Sequence, residues 1–211
     1  MAMEQGKGAR LWERWNGRRM GKISLWGVLA TMAIFAALPR AETPRQASDK
    51  PEYTKKGELL RPDNYRDWVY LSSGLGMSYN AAAQDHVMFT NVFVPQWAYR
   101  EFMATGKWPD KSIFVVEERM SSTNGSINKA GHFQTDLMGL GVEVKDEQRF
   151  PEKWAYFNFG LDSRSSAANP KEGCWQCHND HGAVQNTFVQ FYPTLKPVAE
   201  KFGTYRPKAD H

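Results

Sequence analysis

Cys174-Trp175-Gln176-Cys177-His178 gathers the only two cysteines of the chain and a histidine within five residues. Two thiols separated by two residues can each add to one vinyl group of a porphyrin, and an imidazole directly after them is then held over one face of the ring. This spacing is the attachment signature of c-type haem. Cys174 and Cys177 would form the two thioethers, and His178 would bind the iron as its fifth ligand, giving one covalently attached haem c. A structural zinc site draws four ligands from two separated pairs, and there is no second cysteine pair here. A dithiol redox site follows a strand within a βαβ pattern, whereas this motif follows a polar loop and leads into a helix. A haem-free protein whose thiols merely pair is the third reading left open.

Haem attachment of this kind belongs to an oxidising compartment, and the N-terminus bears on that. Residues 1–41 carry seven Lys/Arg against two Asp/Glu, and Ile23 to Leu38 run without a charge. A basic region followed by a short apolar stretch is an export signal, with Pro39-Arg40-Ala41 as an imperfect cleavage site. An uncleaved N-terminal membrane anchor is the alternative, because the apolar stretch is just short of a spanning helix. Either way the positive flank stays in the cytoplasm and the remainder is expected in the periplasm. The formal charge of the whole chain is +4 and that of residues 1–41 is +5, so the remaining 170 residues carry −1. Basicity confined to a targeting segment excludes a case for nucleic-acid binding.

The elements that must position the haem motif follow in order. Residues 42–50 read as a polar tether, residues 51–205 as one haem domain, and residues 206–211 as a tail. Pro62 opens a short helix that passes into a strand near Trp68. Met88 to Val94 is rich in β-branched and aromatic residues and reads as a strand, after which Pro95 opens a helix closed by Gly106. Further strands are expected over Ser112 to Arg119, around Gly131 to Phe133, from Leu137 to Val144, and over Trp154 to Phe159. Leu161 to Gly173 is a loop delivering the haem motif, and Thr187 to Phe202 reads as helix with a break at Pro193. The fold class expected is α+β, a mainly antiparallel sheet with a middle helix and C-terminal helices carrying the haem motif.

At this point the chain resembles the cytochrome P-460 family and its relative cytochrome c′-beta, over about Gly57 to Leu195. The resemblance rests on Gly57-Glu58-Leu59-Leu60-Arg61-Pro62, on Gly139-Leu140 with Val144-Lys145-Asp146, and on the haem motif followed by Phe188-Val189-Gln190-Phe191-Tyr192-Pro193. It implies a periplasmic, dimeric, five-coordinate c-type haem protein acting on small nitrogen species such as nitric oxide or hydroxylamine, with a redox partner protein. In catalytic members, the resemblance implies, a strand lysine is crosslinked to the porphyrin, and a glutamate after a Gly-Leu pair moves protons. Here those positions are Val116 and Gly141, so neither function is supplied at its usual place.

What is left resembles the branch with an apolar distal face. Phe114 and Phe133 are candidates for its cap, with Val116 and Gly141 in the distal pocket. Glu118 shares a strand face with Val116 and is the candidate distal carboxylate. Glu143 lies two residues beyond the expected glutamate and is not counted as a replacement. His181 follows His178 by one helical turn and cannot reach the opposite face of the iron. His86, His132 and the methionines 77, 88, 120 and 138 are weaker distal candidates, and Arg119 and Arg164 could neutralise propionates. Three functions stay open: a protein that binds a small nitrogen ligand or transfers electrons, a haem oxidoreductase acting on hydroxylamine or nitric oxide, and the haem-free thiol protein.

Overall fold

The computed structural model describes residues 49–77 and 87–207. The expected export or anchor segment, all but the end of the tether, and most of the tail lie outside the described residues. Among the described residues, no helix is long and apolar enough to cross a membrane.

Seven strands and three α-helices are present among the described residues: β1 Leu59–Leu60, β2 Val69–Leu75, β3 Met88–Val94, α1 Gln96–Thr105, β4 Ile113–Ser122, β5 Phe133–Lys145, β6 Trp154–Phe159, β7 Ser165–Ser166, α2 Gln176–His181 and α3 Lys196–Lys201. β2 to β6 form one antiparallel sheet in sequence order, each strand pairing with the next, and α1 lies in the connection from β3 to β4. β1 and β7 pair separately. The fold is therefore α+β with a mainly antiparallel sheet, as the strand signals and proline-opened helix imply.

Alternation along each strand gives the sheet two apolar faces. One carries Ile113, Val115, Leu140, Val142, Val144 and Phe157, and is covered by Leu59, Tyr65 and Trp68 from the N-terminal segment. The other carries Phe114, Trp154 and Tyr156, and is covered by α1, Trp108 and the C-terminal segment through Val184, Val189, Tyr192, Leu195 and Ala199. The aromatic rings interlock on this second side. Trp108 stacks at 4.1 Å from Phe102 and stands edge-on at 4.7 Å to Phe114. A rigid layer of this kind is what holds the C-terminal segment against the sheet.

Three expectations change. The two extended pieces before and after residue 135 are one thirteen-residue strand, β5, which absorbs its irregularity through register shifts opposite Arg119. The loop from Leu161 contains β7, a pair of residues too short to show alternation. The long C-terminal helix is replaced by a short 3₁₀ turn, Val189–Phe191, and by α3. Thr187 cannot start a helix because its amide and carbonyl bond back to Val184 across a two-residue turn.

The first face also buries a charge. Glu117 is 2% exposed. It accepts hydrogen bonds from Tyr65, Asn91, Arg66 and Arg119. Burial alone would push its carboxyl up, but the hydrogen bonds from Arg119, Asn91 and Tyr65 outweigh it and hold it at about 2. Because that lies below the ordinary value of 4.5, the network stabilises the fold above about pH 4.5 and is lost as pH falls toward about 2. Glu117→Gln leaves the arginines uncompensated and should lower unfolding free energy by about 3 kcal/mol at neutral pH, with a flattened acid limb, read by urea melts across pH.

Candidate functional site

The polar loop after β6 enters a wide helical turn, Lys171–Trp175, through Pro170 and continues directly into α2. Cys174 lies in the turn, and Cys177 and His178 lie in α2. A six-residue helix is too short to stand alone, so its position comes from its neighbours. The His178 ring lies between Tyr156 and Phe188, each with its centroid 4.4 Å away. Its Nδ1 is 2.9 Å from the Asn186 carbonyl oxygen. A carbonyl can only accept, so the proton sits on Nδ1, and Nε2 keeps its lone pair. That nitrogen faces the sheet, 3.7 Å from Glu143 Oε1.

The close approach of α2 to the following turn requires glycine at 182. A Cβ there would stand 2.6 Å from the His178 carbonyl oxygen, and 2.8 Å and 2.9 Å from Asn186 backbone carbons. No flexible side chain can move aside to relieve the clash. Gly182→Ala should cost about 2 kcal/mol and displace Asn186 from His178, seen as a lowered melting temperature and poor yield of coloured protein.

Between His178 and the sheet lies a cavity of about 330 Å³, at the small end of the range for ligand sites. Val116 and Glu118 of β4, Gly141 and Glu143 of β5, and Tyr156 of β6 face it from the sheet, while Cys174, His178, Phe188 and Tyr192 face it from the C-terminal segment. Pairing explains the grouping: Val116 opposes Gly141, which opposes Asn158, and Glu143 opposes Tyr156. A Cβ at Gly141 would meet Val116 Cβ at 3.7 Å, an ordinary contact. Glycine is therefore not demanded by packing at 141, and its effect is to leave open space.

Of the residues singled out in the sequence, Val116, Glu118, Gly141, Cys174 and His178 are brought together at this cavity, joined by Met77 and Met88. Phe114 does not face it: it is fully buried between Trp108 and Trp154, two residues before Val116 on the same face of β4, where Trp108 covers the sheet. Phe133 lies at the outer end of β5, against Gly125. His132 is exposed just before β5. Arg119 is paired with Glu117 and Arg164 with Asp63. His86 lies outside the described residues.

Glu143 is the residue that sequence reasoning missed. It is 6% exposed, and its Oε2 is buried with no hydrogen-bond partner among the described residues. Burial pushes its carboxyl up, and the nearby His178 opposes that shift. The signal was present in the sequence: in an alternating strand, residue 143 shares a face with residue 141, so a carboxylate two places along still points at the same space. Burial likewise raises the Cys177 thiol, with Cys174 and Asp180 adding to it. A thiol exchanger needs the opposite shift.

A lone pair aimed into a cavity, a thiol on its wall, an open glycine floor and an orphaned buried carboxyl oxygen together fit an iron porphyrin between α2 and the sheet. A family model described as Cytochrome P460 matches residues 62–189, more than half of the chain. No curated protein matches.

Proposed function

The chain belongs to the cytochrome P460 family, which binds haem, and from that premise we propose a periplasmic protein with one haem c that takes up nitric oxide or a related small nitrogen ligand and exchanges electrons with a partner protein. Cys174 and Cys177 carry the porphyrin, and His178 holds the iron. The export segment supports the compartment, and the family resemblance supports a homodimer.

One observation carries the reading. The His178 imidazole has its Nδ1 committed to a backbone carbonyl and its Nε2 turned into a small cavity beside the two-cysteine turn. A haem bound there supplies an iron that takes up small ligands and gains or loses one electron. The remaining work belongs to the chain's own residues. Tyr156 and Phe188 clamp the imidazole and keep water from its faces. Asn186 fixes the tautomer and raises the basicity of Nε2. Val116 gives the sheet side of the cavity an apolar wall and Gly141 leaves room beside it, as suits a diatomic ligand.

A second reading is favoured by Glu143. A buried carboxyl with an unpartnered oxygen in the ligand cavity can hold a proton at Oε2 and pass it to or from a bound nitrogen species, which is what hydroxylamine oxidation requires. Absorption spectra of ferric and ferrous protein, with and without nitric oxide, test the first reading. A five-coordinate spectrum that changes on adding the ligand is expected, and one indifferent to nitric oxide overturns it. Sustained turnover of hydroxylamine with an electron acceptor would decide for the second.

A further inference from the structure

Asn186 can orient His178 only because the chain turns sharply just before it. Gln185 and Asn186 both have left-handed backbone, with φ of 47° and 63°. They are the central pair of a two-residue turn closed by Val184 and Thr187, a shape that non-glycine residues adopt at a cost unless something holds them. What holds them is Trp108. Its backbone N–H donates to Gln185 Oε1 at 2.6 Å, and its indole Nε1–H donates to Thr187 Oγ1 at 2.9 Å. The Thr187 hydroxyl in turn donates to the Val184 carbonyl at 2.6 Å, stitching the turn shut. Thr187 and Trp108 are both buried, so no water competes for the bonds of the Thr187 hydroxyl.

The third polar group of Trp108 points the other way. Its carbonyl accepts from Lys145 Nζ at 2.7 Å, and Lys145 is buried on β5, two residues from Glu143 and on the same strand face. One tryptophan therefore ties the turn that orients His178 to the strand that carries Glu143.

We propose that Trp108 is the positioning residue for the iron ligand, holding the Gln185–Asn186 turn through Gln185 and Thr187 and tying it through Lys145 to the strand that faces His178. It rests on His178 being that ligand. The Asn186 carbonyl withdraws the Nδ1 proton and gives the imidazole anionic character, which favours the ferric state. Loosening the turn weakens that bond and shifts the balance toward ferrous iron.

The test uses the full-length holoprotein and two small substitutions. Thr187→Val keeps the shape and removes the hydroxyl. Gln185→Asn tolerates left-handed backbone but is too short to reach the Trp108 amide. The readouts are the iron–histidine stretching frequency of the ferrous protein and its reduction potential. Thr187→Val should lower the frequency and change the ferric-to-ferrous balance about tenfold, a rise of about 59 mV for a one-electron couple. Gln185→Asn should shift both in the same direction by less, and Thr187→Ser, which restores the hydroxyl, should return both to wild-type values. Unshifted values in both Thr187→Val and Gln185→Asn overturn the positioning role, as does Thr187→Ser behaving like Thr187→Val. If Thr187→Val does not retain haem, Gln185→Asn alone decides. A wild-type protein that carries no haem instead defeats the functional reading on which the proposal rests.

Discussion

Replacing both Cys174 and Cys177 by alanine should yield a protein that emerges colourless from denaturing purification, in a host that builds c-type cytochromes, while the wild type stays red. The effect is all-or-none because no other cysteine exists to form a thioether. Folding should survive. Cys174 only adds to the edge of an aromatic layer built by Trp108, Phe114, Trp154 and Tyr192, and both thiols are only half-buried. Circular dichroism of the double variant should therefore match that of the wild-type apoprotein. Single variants should keep one thioether and lose haem more readily than wild type.

Glu143→Gln should be the most damaging single change on the opposite side of the cavity. Its carboxyl is buried, with Oε1 3.7 Å from His178 Nε2 and Oε2 without a hydrogen-bond partner among the described residues, so it is the group that can carry a proton without first breaking a hydrogen bond. Glutamine keeps the shape and cannot exchange the proton. If hydroxylamine is turned over, the rate should fall by about 10²- to 10⁴-fold. Glu118→Gln should change it only a few-fold, because Glu118 is half-exposed toward the cavity mouth and solvent can replace it. Stopped-flow assays with an electron acceptor compare the two variants directly. Glu143→Gln should also stabilise the fold slightly, since it removes a buried ionisable group whose carboxyl is pushed up by burial.

How far the sequence reaches is clear from particular residues. Met88 to Val94 and Trp154 to Phe159 are strands with the expected bounds, because dense β-branched and aromatic runs have few alternatives. Pro95 and Gly106 bracket α1 as they should, Gly106 adopting left-handed backbone at its end. The region after the haem motif was less legible. Thr187 to Phe202 has the composition of a helix, but Thr187 and the preceding Gln185 accept hydrogen bonds from Trp108, some eighty residues earlier, which no local pattern announces. Phe114 illustrates the same limit on the site: strand alternation puts it on the right face, while whether a side chain lines the cavity or the core depends on where α1 and Trp108 stop covering the sheet. Glu143 is legible in the sequence, because a strand repeats its direction every two residues and a carboxylate two places beyond Gly141 shares its face.

All of these expectations depend on a porphyrin joined to both thiols above His178. The most direct measurement is mass spectrometry of the tryptic peptide from Glu172 to Lys201 of the mature protein, the Lys196–Pro197 bond being resistant to trypsin. The expected result is a single species carrying one haem, with neither cysteine open to alkylation and no bond to any lysine. A peptide of unmodified mass with both thiols alkylated would contradict it.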